Sequence, residues 1–321
     1  MLGCRATFVT RYRTKPQQLQ FHISTWDFQA QVPKSIPCIQ QQFHRSTAKR
    51  VQLASLLGAA QPYRKLFSRR DSTRIWQFSE IEVSGLSWKF VRRTGATQLG
   101  SLSQLERMEI GYNNMLTGRV PEEFAMLSNL RYLDISACSL SGNLTQELGN
   151  LTKLEMLLLF QNQFTGEIPV SFTNLKALKV LDLSDNQLTG KIPAELSSLK
   201  ELTRVSLMTN QLIGEIPEGI GELPNLEALY LWNNSLTGIL PQKLGSNGKL
   251  QWLDVCSNSL SGPIPPNLCQ GNKLLKLILF SNKFIGNLPQ SLANCTSLTR
   301  VRIQDNQLNG SIPMASGSCG I

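Results

Sequence analysis

The chain has 321 residues, with 32 Lys and Arg against 22 Asp and Glu, a formal net charge of +10. The charge is uneven: residues 1–96 carry 16 basic and 4 acidic side chains (+12), and residues 97–321 carry 16 and 18 (−2). The larger part is therefore no polyanion binder, and no stretch approaches the ~18–20 apolar residues of a membrane-spanning helix.

In chain order, residues 1–96 come first. Met1–Gln20 is Arg-rich and acid-free but has no apolar core of a secretory leader. The longest apolar run, Val51–Ala60 (VQLASLLGAA), is too short to span a bilayer. No strand or helix period runs through the segment, so it reads as a basic, non-repeat region, disordered or a gene-model artefact. Arg64, Lys65, Arg69 and Arg70 cluster without a recognisable fold and read as a solvated tail, so no nucleic-acid partner is expected. Cys38 and His44 lack a second ligand pair at metal-binding spacing, so no metal site is expected. His22 and His44 are the two histidines of the chain, which leaves none for acid–base work further on. Kinase and phosphate-loop signatures are missing too, so neither a cofactor nor enzymatic activity is expected.

From residue 97 the chain repeats. Gly recurs every 24 residues at 118, 142, 166, 190, 214, 238, 262, 286 and 310. Asn keeps the same phase at 114, 162, 186, 210, 234, 258, 282 and 306, with Cys138 in the remaining place. Pro follows each Gly three residues later, except where Thr145 stands. In the unit Leu154–Ala177, Leu157 and Leu159 are two apart and so share one face of a short strand. The Asn after them has donors and acceptors for neighbouring backbone groups, and burying it unpaired would cost about 1–3 kcal/mol. Gly supplies a backbone conformation closed to other residues, and Pro stiffens the outer segment. One such coil cannot bury its own apolar face, so stacking must complete the core. The expected fold is an α/β right-handed leucine-rich-repeat solenoid over residues 97–313. A parallel sheet lines its concave side, and 3₁₀ or irregular segments form the convex side. Residues 314–321 read as an atypical tail.

Counting back from each Asn, positions −6, −4, −2 and −1 project from the concave sheet. They form an apolar strip of Phe160, Met208, Tyr230, Trp232, Trp252, Ile278 and Phe280, with Ser206, Asp134, Asp182 and Asp254 among the polar members. Exposed aromatics in that number mark a binding surface. Val301 points to the core, so Arg300 and Arg302 emerge on one face about 7 Å apart. Two guanidinium forks can hold one carboxylate; the alternative is a solvated basic edge pairing with Asp305. Nine strands at ~4.8 Å span about 38 Å, the reach of a dozen extended residues.

Cys269 and Cys295 lie in the outer segments of neighbouring coils, 26 residues apart, while Cys4, Cys38 and Cys319 fall in the two ends. Glycosylation triplets occur at Asn143, Asn150, Asn233, Asn294 and Asn309. Asn143, Asn150, Asn294 and Asn309 are the expected acceptors; Asn233 sits on the concave edge, where a glycan would crowd a ligand.

The L-x-G-x-I-P segment, as in Leu188–Pro193 (LTGKIP), resembles the plant-specific class of leucine-rich repeat found in receptor kinases, receptor-like proteins and polygalacturonase-inhibiting proteins. MEIGYN (Met108–Asn113), LFQNQFTGEIP (Leu159–Pro169), EGIGELP (Glu218–Pro224), LGSNGKL (Leu244–Leu250) and NKLLKLILFSN (Asn272–Asn282) resemble the ectodomains of CLE-peptide receptor kinases. That resemblance implies a truncated, ligand-binding fragment of such a receptor, without its membrane and kinase parts. The intact relative would work at the extracellular face of the plasma membrane. Its partners would be a small secreted CLE-type peptide with a free C-terminal carboxylate and a leucine-rich-repeat co-receptor kinase. By the same resemblance Arg300 and Arg302 grip the carboxylate. Asp134, Asp182 and Asp254 meet polar or basic groups of the peptide, and Phe160, Ser206, Tyr230, Trp232 and Phe280 complete the contact. Members of the family carry a cysteine pair matching Cys269 and Cys295, which implies a disulfide; two free thiols are the alternative. The other functional readings are an inhibitor-like or receptor-like protein that binds a protein partner, and a non-functional truncated product.

Overall fold

The computed structural model describes Val83–Ser84, residues 102–112 and residues 117–313. All belong to one compact unit, Arg50–Ile321; a second unit, Met1–Lys49, lies outside the described residues. So do Cys4, Cys38, Cys319, both histidines, Asn114 and the tail 314–321.

The apolar positions of each repeat dictate a three-residue strand. Tyr132–Asp134, Met156–Leu158, Val180–Asp182 and Arg204–Ser206 are followed by Ala228–Tyr230, Trp252–Asp254, Lys276–Ile278 and Arg300–Arg302. With Val83–Ser84 and Arg107–Glu109 they make one ten-stranded parallel sheet in strict sequence order. The central residue of each strand stacks on its counterpart: Leu133 pairs with Leu157, Leu157 with Leu181, Val205 with Leu229, and Leu253 with Leu277. These side chains are all but inaccessible and join Leu, Ile and Phe residues of the outer segments in one continuous core. Each fully buried Leu or Phe contributes roughly 1.5–3 kcal/mol, and only a stacked neighbour completes the burial. The chain is a leucine-rich-repeat solenoid.

Two of these elements differ from the sequence reading. Val83 and Ser84 pair in parallel with Met108 and Glu109, so the sheet takes a strand from the segment 1–96 that was expected to lie outside the array. Val301, expected in the core, is 41% exposed, because among the described residues no further coil stacks on the strand Arg300–Arg302.

The Asn ladder closes each turn as its chemistry requires. Asn210 Nδ2 donates to Leu183 O at 3.0 Å, Leu207 O at 3.1 Å and Met208 O at 3.2 Å, while its Oδ1 accepts from Leu188 N at 2.9 Å. Asn162, Asn186, Asn234 and Asn258 repeat the pattern. Cys138 does less, with its thiol 3.3 Å from Ser136 O and 3.8 Å from Ile110 O.

From Cys138 on, the residue just before each ladder position takes a left-handed conformation, from Ala137 at φ 50 to Asn233 at φ 56; in the coil before it the left-handed residue is Tyr112, at φ 57. This bend lets two successive N–H groups reach the next coil, as Gln161 N to Ser184 O at 3.0 Å and Asn162 N to Asp185 O at 3.2 Å. Beyond the ladder, Gly190 turns at φ 75, where a side chain would be strained.

The outer side is more regular than expected. Segments after the Asn, among them Gln163–Gly166, Ile213–Glu215 and Lys283–Gly286, pair into additional short parallel sheets. Five 3₁₀ turns follow, Glu122–Met126, Gln146–Asn150, Val170–Asn174, Ala194–Ser198 and Glu218–Glu222. Four start after Pro and one after Thr145. In the coil that begins with the strand Lys276–Ile278 the turn is a single α-helical one, Gln290–Ala293.

Candidate functional site

The strand register sorts the open face of the ten-stranded sheet into rows. One row runs Arg107, Tyr132, Met156, Val180, Arg204, Ala228, Trp252, Lys276, Arg300. The next runs Glu109, Asp134, Leu158, Asp182, Ser206, Tyr230, Asp254, Ile278, Arg302. Backbone bonds such as Ser257 N to Phe280 O, 3.0 Å, carry the sheet to a third row containing Ser136, Phe160, Ser184, Met208, Trp232, Cys256 and Phe280. Neighbours in a row are about 4.8 Å apart, so long side chains shade short ones.

That shading corrects the expected surface. Ser206 is 2% exposed and Ile278 7% exposed, so neither is open to a partner. Asp134 is buried at 9%, and its Oδ1 accepts the Ser136 N–H at 3.0 Å and also the Ser136 hydroxyl. The remaining members of the strip, Phe160, Met208, Tyr230, Trp232, Trp252 and Phe280, are half-buried and keep part of each ring or chain open. Phe160 meets Tyr112 edge-to-face with centroids 6.2 Å apart. The Tyr230 phenol is pushed up to about 12 by burial, with Arg204 acting against the shift.

Charge is distributed along the face. Toward the earlier coils stand Glu109, Asp134, Asp182 and Asp185; at the other end stand Lys276, Arg300 and Arg302. Burial raises the carboxyl of Asp182 above the usual range, with the Ser184 and Ser206 hydroxyls holding it down in part. Asp185 is also raised, first by burial and further by Asp182. Asp254 is raised by burial and restrained by its Cys256 bonds and by the positive field of Arg300 and Arg302.

Arg300 and Arg302 are both exposed. The guanidinium of Arg302 lies over the Phe280 ring, 5.5 Å from its centroid, an orientation that favours the cation. Among the described residues no ion pair joins either Arg to Asp305, whose carboxylate instead accepts a 3.5 Å contact from the Ser281 hydroxyl. Two forks on one face, two residues apart and in no ion pair among the described residues, can take a carboxylate from a ligand.

Three face residues were not among the expected contacts. Arg107, whose guanidinium lies 3.6 Å from the Tyr132 ring centroid, belongs to the first coil, and Lys276 is the register partner of Arg300. Tyr112 packs on Phe160. The 24-residue phase, extended one coil earlier from Tyr132, points to Met108, which is buried; the register sets Arg107 opposite Tyr132, one residue out of that phase, so the repeat alone misses it.

On the outer side Cys269 and Cys295 form a disulfide, with Cα atoms 5.9 Å apart. Asn143, Asn150, Asn233, Asn294 and Asn309 are all exposed. The described residues hold no metal-binding cluster and no helix long and apolar enough to cross a membrane.

Two family descriptions match the chain: leucine-rich repeat region over residues 122–239, and leucine rich repeat over residues 224–284. A plant ice-binding protein is 32% identical with a TM-score of 0.62, over 68% of this chain and 70% of its own. The chain belongs to the leucine-rich-repeat family. Within it, a TDR receptor is 63% identical with a TM-score of 0.67, over 68% of this chain. The Arabidopsis receptor kinase HAESA, solved with the peptide hormone IDA and the co-receptor SERK1, is 38% identical with a TM-score of 0.59, over 67% of this chain. The chain spans 38% of the TDR receptor and 40% of HAESA. No curated protein matches it. These leucine-rich repeats are therefore similar to plant receptor ectodomains, including one that holds a peptide hormone.

Proposed function

We propose that the open face of the ten-stranded sheet binds a small secreted peptide of the CLE type, as the ligand-binding part of a plant receptor kinase at the cell surface. The peptide crosses the strands in extended form, its free C-terminal carboxylate between Arg300 and Arg302. The observation that carries this reading is that pair: exposed, on one face, unmatched by Asp305, and at the end of a half-open aromatic strip. Each guanidinium donates to a carboxylate oxygen, and a charge-assisted bond of this kind is worth about 1.5–3 kcal/mol. Phe160, Tyr230, Trp232 and Phe280 pack on the peptide's apolar groups. Asp182 and Asp254, whose Oδ1 atoms already hold backbone N–H groups, offer their second oxygens to polar or basic groups of the ligand, while the buried Asp134 supports the face from beneath. A leucine-rich-repeat co-receptor kinase then joins the occupied receptor, as SERK1 joins HAESA with IDA.

The test is retention on the immobilised chain of a panel of synthetic CLE peptides, with polygalacturonase as the competitor class. Retention of a peptide supports the reading. Retention of polygalacturonase and of no peptide replaces it with that of an enzyme inhibitor.

A further inference from the structure

One glycosylation triplet has a cysteine at its centre: Asn294-Cys295-Thr296. It begins at the C-cap of the short helix Gln290–Ala293, with Asn294 at φ −95, ψ 5, and continues into a turn. The preceding coil grips it at two points, both from the run Cys269-Gln270-Gly271-Asn272. Cys269 is bonded to Cys295. Asn272 Nδ2 donates to the Thr296 hydroxyl at 2.7 Å, and Asn272 Oδ1 accepts from Ser297 N at 3.3 Å. The gripping turn is itself fixed, since Asn272 sits at φ 50 and a Cβ on Gly271 would fall 1.8 Å from Gly248 O. Asn294 and Thr296 remain at the surface while Cys295 is buried.

A glycosyl transferase must read the Asn amide and the Thr hydroxyl together on a segment it can draw into its own site. Here the hydroxyl is already an acceptor for Asn272, and the residue between the two is tied covalently to the neighbouring coil. A glycan on Asn294 would still point outward, so the folded coil tolerates the product while closing off its formation.

We propose that glycosylation of Asn294 and formation of the Cys269–Cys295 disulfide compete in time for the same three residues, and that the disulfide closes the triplet to glycan transfer. In the first reaction the Asn294 side-chain nitrogen bonds to the anomeric carbon of a lipid-pyrophosphate-linked glycan, the lipid pyrophosphate leaves, and one amide proton passes to base. In the second, the two thiols lose two protons and two electrons to a disulfide oxidant by thiol–disulfide exchange. Both reactions belong to the same oxidising, glycosylating compartment. The outcome depends on which arrives first, so the occupancy of Asn294 reports the oxidising strength of the compartment while the chain is being made.

Asn143 and Asn150 are built-in controls. The central residues of their triplets, Leu144 and Leu151, are 4% and 0% exposed, so those triplets close by packing without a thiol. A change that merely slows folding should raise all three sites, whereas a change to the disulfide should raise Asn294 alone.

The experiment is glycan occupancy at each site by mass spectrometry, on the full chain made behind a cleavable leader in a secreting host, for wild type, C269S and N272A. Wild type should show partial occupancy at Asn294. C269S, which keeps the triplet intact, should raise that occupancy at least twofold, with Asn143 and Asn150 unchanged. N272A should raise it less. Mild reductant during synthesis should reproduce the C269S result in wild type and add nothing to C269S, which covers the case of a variant that fails to fold. Full occupancy of Asn294 in wild type with its disulfide formed, no change in either C269S or reductant, an equal rise at all three sites, or no glycan at any site would each overturn the proposal.

Discussion

Asp182 closes the turn that follows its own strand: its Oδ1 accepts the Ser184 N–H at 3.1 Å and the Ser184 hydroxyl at 2.5 Å. Asp134 does the same for Ser136, and Asp254 accepts the Cys256 N–H at 3.2 Å. The carboxylates on the sheet face are thus parts of the fold before they are parts of any binding site.

This predicts the effect of D182N. Burial raises the Asp182 carboxyl, so the folded state holds its proton to higher pH than the unfolded chain. The contribution of Asp182 to stability is then greatest below the ordinary carboxylate range and falls as pH rises through the raised value. Asn keeps an Oδ1 acceptor and carries no charge. D182N should raise Tm at neutral pH, on the scale of the ~2–4 °C that 1 kcal/mol gives in a domain of this size, and should flatten the dependence on pH in the acid range. Calorimetric scans from acid to neutral pH check it; a lowered Tm at neutral pH would mean the charge itself is needed.

The Asn ladder gives a paired prediction. N210A strands the Leu188 N–H, which Asn210 Oδ1 now accepts, and leaves the Leu183 carbonyl with Asn186 Nδ2 as its remaining amide donor; it should cost about 1–3 kcal/mol. At the thiol position the reverse change should help: C138N places an amide donor toward Ser136 O and Ile110 O, where the Cys138 contacts are 3.3 and 3.8 Å. A gain of about 1 kcal/mol is expected. Urea denaturation of both variants measures it, and equal stability of N210A and wild type would contradict the account of the ladder.

Much of the fold is legible in the sequence because one 24-residue phase fixes inside and outside for every coil from Tyr132 onward; in the coil before it the register slips to 25 residues. Leu157 and Leu159, read as core from their spacing, are fully buried, and the sheet register follows directly. Less legible was how much each face side chain shows. Ser206 and Ile278 have surface phase yet are buried, because exposure depends on whether a longer neighbour such as Arg204, Tyr230 or Phe280 lies over them. The left-handed residue before each ladder position was also hidden, since Ala137, Thr209 and Asp185 share no residue type that announces such a bend. The outer sheets, built from backbone bonds after the Asn, leave no clear alternation in side chains.

Lys276 should take part in binding at the basic end. It is the register partner of Arg300, and among the described residues no ion pair occupies it. A partly exposed charge of this kind contributes about 0.2–1 kcal/mol. K276A should therefore weaken a retained peptide by up to about fivefold, and less than the loss of Arg300 and Arg302. Competition binding of the variant against wild type tests it; an unchanged affinity would limit the basic end to the two arginines.

The central claim is tested most directly by calorimetric titration of one retained peptide in two forms, free acid and C-terminal amide, into wild type and R300A/R302A. If the two guanidiniums hold the terminal carboxylate, amidation should weaken binding to wild type at least tenfold, the value of about one lost charge-assisted bond. The double variant should lose a similar factor for the free acid and distinguish the two forms by less than about twofold, within the error of additivity. Equal binding of acid and amide to wild type would contradict the account and leave Arg300 and Arg302 as solvated surface charges.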